Sequence, residues 1–168
     1  NRLTEDCSYN VLLLEAGPKD ANPWIHIPIG YGKNFRNPTI NWMFQTEPGE
    51  RWVRKAVPTP RGKVIGGSSS INGMVYMRGN RDDYNHWRQL GNQGWGFDDV
   101  LTYFKKSENQ QRGEGEYHGI GGPLWVSDPA ETHPIAEAYI KAGLEAGYDY
   151  NPDFNENTQE GFCLLYTS

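Results

Sequence analysis

Apolar and polar positions divide the chain into stretches of different kinds. Tyr9–Leu14 ends in an unbroken Val-Leu-Leu-Leu run that is stopped by Glu15-Ala16-Gly17-Pro18. That predicts a short buried strand with a carboxylate at its carboxyl end, preceded over residues 1–6 by the tail of a helix. From 18 to 60 no periodicity survives, because prolines at 18, 23, 28, 38, 48, 58 and 60 exclude a long helix. Trp24, Tyr31, Phe35, Trp42, Phe44 and Trp52 lie between those prolines, either as an ordered excursion or as a satellite core under a long loop.

Helical spacing returns after Gly79. Asn80 predicts an N-cap, Asp82 and Asp83 suit the positive helix end, and Tyr84, Trp87 and Leu90 recur before Gly91. Gly94–Phe97 predicts a turn. Asp98–Lys106 then predicts a second helix, with an acidic start, a basic end and apolar Val100, Leu101 and Phe104; Trp87 and Trp95 are expected in the core. Residues 107–122 are polar and Gly-rich and read as a passage between subdomains. Leu124–Val126 reads as a strand, and His133-Pro134 opens a helix marked by Ile135, Tyr139, Ala142 and Ala146 that Gly147 ends.

The densest signal is Arg61–Gly79, where Gly62, Gly66, Gly67, Gly73 and Gly79 and three consecutive serines alternate with apolar residues. Such a backbone reaches an anion or a planar ring with N–H groups and hydroxyls, without an intervening side chain. A plain Gly/Ser turn leading into a strand at Met74–Met77 has the same local features.

Composition narrows the classes. The 168 residues, 36% of them hydrophobic, suffice for one domain or part of one. A net charge of -5 gives no basic footprint for nucleic acid or an anionic membrane surface. No apolar run approaches the ~20 residues of a membrane span, and the amino end has no signal-peptide pattern. A cytoplasmic location is expected on that ground; the chain begins at Asn1 without a methionine, so an upstream signal stays open. Cys7 and Cys163 make neither a disulfide framework nor a metal spacing.

Several chemistries lack an essential group. Asp149, Asn151, Asp153 and Glu160 have the spacing of calcium-loop ligands, but Phe154 stands where the sharp turn needs glycine, so the stretch reads as a solvated loop. His26, His86, His118 and His133 are scattered, with no metal-ligand partner at close spacing. No G-x-S-x-G surrounds Ser68, Ser69 or Ser70, and Gly62-Lys63-Val64 lacks the Ser or Thr of a P-loop. Neither catalytic nor metal-binding residues are assigned.

The string from Arg61-Gly62 through Gly66-Gly67-Ser68-Ser69-Ser70-Ile71-Asn72-Gly73 to Tyr76-x-Arg78-Gly79 closely resembles the signature of the glucose-methanol-choline (GMC) family of FAD-dependent oxidoreductases. Asn41-Trp42 with Gln45–Pro48 also resembles the family pattern. The bacterial choline-dehydrogenase-like branch is the nearest likeness, over residues 1 to about 162. The resemblance implies an α/β fold: part of an FAD-binding Rossmann-like domain at 1–122, with a cofactor-covering excursion at 18–60, and the start of an α+β substrate domain at 123–162. It also implies hydride transfer from a small-molecule alcohol to non-covalent FAD, because Ile71 occupies the position of the flavin-linked histidine of some members.

Carried over by the resemblance, Glu15 and Ala16 hold the adenosine ribose, and Arg61, Val64, Gly66, Gly67 and Ser68 line the pyrophosphate and ribityl. Asn72, Gly73, Met74 and Val75 flank the flavin ring. Glu15 also stands where a dinucleotide fold places its ribose-binding acid, about 20 residues after a Gly-rich turn. That turn is not in the chain, and neither is the family's catalytic histidine. The 168 residues alone are therefore expected to be inactive and to hold FAD weakly or not at all. Cys163–Ser168 departs from the family and reads as a translated sequencing adaptor or as a β-prone strand. A non-catalytic nucleotide-binding module and a flavin-containing lyase are the competing readings, separable by whether an alcohol bleaches flavin absorbance. The identity of the alcohol and of the electron acceptor has no signature in these residues.

Overall fold

The computed structural model describes residues 2–49 and 55–167; Trp52 and Ser168 lie outside the described residues. Helix and strand are mixed along the chain, which divides into two units, Asn1–Met74 and Val75–Ser168.

The first unit is built from short elements because its prolines leave room for nothing longer. They open two 3-10 turns, Pro23–Ile25 and Pro28–Gly30, where a fixed φ suits the first helical position and the missing N–H costs nothing. Asn22 caps the first turn, its Oδ1 accepting from Trp24 N at 3.0 Å, and the second runs into α1 (Tyr31–Asn34). The antiparallel pair β1 (Phe44–Gln45) and β2 (Pro58–Thr59) follows. Its course continues in Ile40–Trp42, which bonds to Arg61–Lys63: Lys63 N donates to Ile40 O at 2.8 Å and Trp42 N to Arg61 O at 2.9 Å. Ile40, Val64 and Ile71, at most 2% exposed, form the core of this unit, with Ile25 and Phe35 packed against it.

The strand expected at Tyr9–Leu14 does not form. No described residue pairs with it, and Leu12, Leu13 and Leu14 are 81, 72 and 83% exposed. A strand exists by its ladder, and an apolar run with no neighbouring backbone to bond stays irregular. The helix tail expected over residues 1–6 is a single 3-10 turn, Arg2–Thr4.

In the second unit β3 (Val75–Tyr76) pairs antiparallel with β6 (Tyr166–Thr167), the β-prone Leu-Leu-Tyr-Thr end of the chain. Helix α2 (Arg81–Gln89) has the expected cap, Asn80 Oδ1 accepting from Asp82 N at 2.8 Å. Helix α3 (Phe97–Ser107) starts with Gly96 N donating to Asp99 Oδ2 at 3.0 Å and ends near Lys105 and Lys106. Residues read only as a polar passage supply β4 (Glu108–Gln110), which runs parallel to β5 (Leu124–Val126). Helix α4 (Pro134–Glu145) is capped by the His133 ring, and Gly147 leaves it with φ +90°.

Trp87 and Trp95 are not core residues: they are 44 and 52% exposed and meet edge to face at 5.9 Å on the surface of α2 and α3. The inward face of α2 is taken by Tyr84, whose ring lies 5.9 Å from Phe104 and 6.2 Å from Phe97. That leaves the large indole three residues later at the rim.

Candidate functional site

The first unit gathers most of the sequence-predicted site residues on one patch of backbone. Glu15 closes its own turn, Oε1 accepting from Gly17 N at 2.9 Å. That turn lies against the signature: Ile65 N donates to Pro18 O at 3.0 Å, and a Cβ at Gly17 would run into the Lys63 carbonyl. Only glycine permits this approach. Glu15 and Ala16, both exposed, are thus neighbours of Lys63–Ile65, although almost fifty positions separate them in sequence.

Arg61 is exposed and its backbone is held by Asn41, which is 2% exposed. Asn41 Oδ1 accepts from Arg61 N and Met43 N, each at 3.0 Å, and its Nδ2 donates to Phe35 O at 2.8 Å. One buried amide therefore joins three segments, a role the Asn41-Trp42 pattern did not show in sequence. Val64 is fully buried, so only its backbone is offered to a ligand.

The signature turns at Gly66, whose φ of +91° no ordinary side chain accepts, into a 3-10 turn over Gly67–Ser70. The three serines then differ in what they have left. Ser69 Oγ donates to Gly66 O at 2.6 Å and Ser70 Oγ to Ile65 O at 2.8 Å. Ser68 Oγ instead accepts from Gly62 N at 3.1 Å and keeps its proton to donate elsewhere. Asn72 Oδ1 accepts from Met74 N at 2.9 Å, supporting Met74 at φ +59°, a strained conformation for a long side chain. Gly73 is exposed, and Val75, 58% exposed, is the first residue of the second unit.

The signature's last arginine has a different environment. The Arg78 side chain is 2% exposed and its Nη2 meets Glu108 Oε2 at 2.9 Å. Glu108, with a fully buried side chain, also accepts from Gly119 N at 3.0 Å and faces His118 Nδ1 at 3.0 Å; His118 Nε2 faces Asp153 Oδ2 at 2.8 Å. Burial alone would lower the His118 pKa, but hydrogen bonds and charge from Asp153 and Glu108 outweigh it and raise it to about 9. His118 is therefore an imidazolium at neutral pH, and two cations balance two carboxylates. His118, Asp153 and Glu156 bring donor atoms within 4.8 Å of one another. Both buried members of that trio already serve the ion pairs, whose charges cancel, so the geometry is that of a structural network.

Sequence reasoning missed this network. Glu108, His118 and Asp153 are 10 and 35 residues apart, and only the parallel pairing of β4 with β5 and the fold of the following loop bring them together. The loop carrying the calcium-like spacing is not the solvated loop expected, since Asn151, Asp153 and Asn155 are 7, 3 and 3% exposed: Asn151 closes it, Oδ1 accepting from Asp153 N at 2.8 Å and Nδ2 donating to Thr158 O and Glu160 O, while Asp153 turns to His118 and Asn155 Oδ1 accepts from Arg78 N at 2.8 Å.

The profile of the GMC oxidoreductase family matches residues 39–168. The chain is 46% identical over 162 residues to an alcohol dehydrogenase [acceptor] of Pseudomonas putida, covering 96% of this chain and 29% of that protein. It is 44% identical over 161 residues to an oxygen-dependent choline dehydrogenase of Brucella anthropi, again covering 96% and 29%. Among solved structures, pyridoxine 4-oxidase from Mesorbium loti superposes with a TM-score of 0.87 at 33% identity, over 99% of this chain and 33% of that one. An FAD-dependent oxidoreductase from Chaetomium thermophilum superposes with a TM-score of 0.81 at 30% identity, over 99% and 30%. The chain thus spans about a third or less of the length of the proteins it matches.

Proposed function

Since the chain belongs to the GMC oxidoreductase family, we propose that the whole protein is an FAD-dependent oxidoreductase acting on the CH–OH group of a small-molecule alcohol. These residues would supply the adenosine and pyrophosphate contacts and one side of the flavin site. The observation that carries the reading is the contact of the Glu15–Pro18 turn with Lys63–Ile65 inside the signature. It supports the reading because the turn that carries Glu15, a carboxylate of the kind that accepts from ribose hydroxyls, packs against a Gly/Ser segment of the kind that receives phosphate.

The residues fit such a cofactor in detail. Glu15 Oε2 has no protein partner among the described residues, so it is the oxygen left to accept from a ribose hydroxyl, with Ala16 beside it. Arg61 offers an exposed guanidinium to the pyrophosphate, Ser68 offers the one hydroxyl proton of the three serines not spent inside the turn, and Val64, Gly66 and Gly67 offer backbone. Asn72, Gly73, Met74 and Val75 flank the ring. When bound, FAD supplies the hydride acceptor; this part of the chain orients it. Ile71, buried at 2% and aliphatic, offers no atom for a covalent link, so the cofactor is held non-covalently. In this assignment 1–122 belongs to the FAD-binding domain and 123–162 to the start of the substrate domain.

The test is the visible spectrum of the purified full-length protein. Flavin absorbance that an alcohol bleaches without oxygen, and that denaturant releases from the polypeptide, is the expected result. A colourless protein, or flavin that no alcohol reduces, would defeat the proposal.

A further inference from the structure

The closing part of the signature, Tyr76-x-Arg78-Gly79, has no share in the cofactor contacts proposed above, yet the loop over residues 151–159 holds its backbone at three points. Asn155, 3% exposed, takes two of them: its Nδ2 donates to Tyr76 O at 3.3 Å, and its Oδ1 accepts from Arg78 N at 2.8 Å. Half-buried Gln159 takes the third, Nε2 donating to Arg78 O at 3.0 Å. In a strand, the C=O of one residue and the N–H of the residue two further on point the same way, and one carboxamide, with a donor and an acceptor, satisfies both. Asn155 therefore serves the continuation of β3 as a residue of a neighbouring strand would, from 77 positions beyond Arg78.

The grip is itself anchored. Asn155 N donates to Asp153 Oδ1 at 2.7 Å, and the other oxygen of Asp153 holds His118. The Arg78 guanidinium donates to Tyr117 O at 2.6 Å and pairs with Glu108, so the side chain of the gripped residue is fixed as well as its backbone. Asn155 and Gln159 carry no charge, and replacing either leaves those ion pairs in place.

We propose that Asn155 and Gln159 are positioning residues for the flavin: by fixing the backbone at Tyr76 and Arg78 they set where Val75, the residue before Tyr76, meets the ring. This rests on the functional reading above, in which Asn72–Val75 flank the flavin. The last part of the signature then holds the cofactor-facing part in place rather than touching the cofactor. Two residues of the segment assigned to the start of the substrate domain thereby act on the cofactor site.

The test uses the full-length protein with its flavin. In Asn155→Ala the Arg78 amide loses its acceptor and should exchange about ten to a hundred times faster than in the parent. The visible circular dichroism of the bound flavin should lose intensity or change sign, and the FAD dissociation constant should rise about tenfold as a preorganised wall of the site loosens. Asn157→Ala, at an exposed position of the same loop, should leave both flavin readings at the parent's values. Unchanged exchange at Arg78, faster exchange with unaltered flavin readings, or equal changes in Asn157→Ala would each overturn the proposal. If Asn155→Ala does not fold, Gln159→Met, which keeps the length of the side chain and removes only the donor to Arg78 O, must alter the flavin dichroism in its place. A parent protein without flavin defeats the functional reading; a flavin-bearing parent whose dichroism ignores Asn155 and Gln159 defeats this proposal alone.

Discussion

Replacing Glu108 with alanine strikes the group on which the buried ion pairs converge. The variant removes the acceptor for Arg78 Nη2, His118 Nδ1 and Gly119 N, leaving a guanidinium whose side chain is 2% exposed bonded to backbone carbonyls and an imidazole 8% exposed that keeps Asp153. Breaking a buried pair by deleting one partner costs about 3–5 kcal/mol, because the surviving charge keeps its desolvation penalty. At about 1.4 kcal/mol per tenfold, local opening should rise by roughly two to three and a half orders of magnitude. Hydrogen exchange on the full-length protein reads this directly over residues 75–78, 108–119 and 150–160, which the network joins. Glu108→Gln should fall between alanine and the parent, since it keeps an acceptor but loses the charge. A change below about tenfold for Glu108→Ala would refute the view that this network holds the second unit together.

Three further outcomes follow from the geometry. The His118 pKa lies above its unfolded value of about 6.5, at about 9. Its stabilisation is therefore complete below pH 6.5 and is lost as pH rises through 9, a change on the order of 3 kcal/mol that His118→Gln should abolish in a pH series of exchange or melting measurements. Ser68→Ala should weaken FAD binding about tenfold in a fluorescence titration of the deflavinated full-length protein, whereas Ser69→Ala, whose proton is spent on Gly66 O, should change it about twofold or less. Gly17→Ala, which drives a methyl into the Lys63 carbonyl, should destabilise by about 1–3 kcal/mol and lower flavin content together; an unchanged melting temperature would show that the Glu15 turn does not rest on the signature.

What the sequence revealed depended on how local each feature is. Asn80 and His133 mark helix starts because a cap is a contact across two residues, and both act as caps; the acidic start read at Asp98 is equally local, with Asp99 accepting from the N-cap Gly96 N. The Arg61–Gly79 signature was equally visible, since its glycines and serines stand in one run. The Tyr9–Leu14 run misled because strand formation depends on a neighbour, which periodicity cannot supply. Trp87 and Trp95 misled because helical spacing names a face but not how much of a large ring the next element covers. Asn41 and the Arg78–Glu108–His118–Asp153 network were invisible for a third reason. Each works through partners 10 or more positions away, or through a carbonyl that any residue could present.

Where the cofactor lies is measured most directly by the electron density of FAD in the full-length protein. The expected result is the adenosine ribose on Glu15, the pyrophosphate along Arg61–Ser68 within reach of the Ser68 hydroxyl, and the ring beside Asn72–Val75. Flavin bound elsewhere, with Glu15 and Ser68 facing solvent, would contradict it.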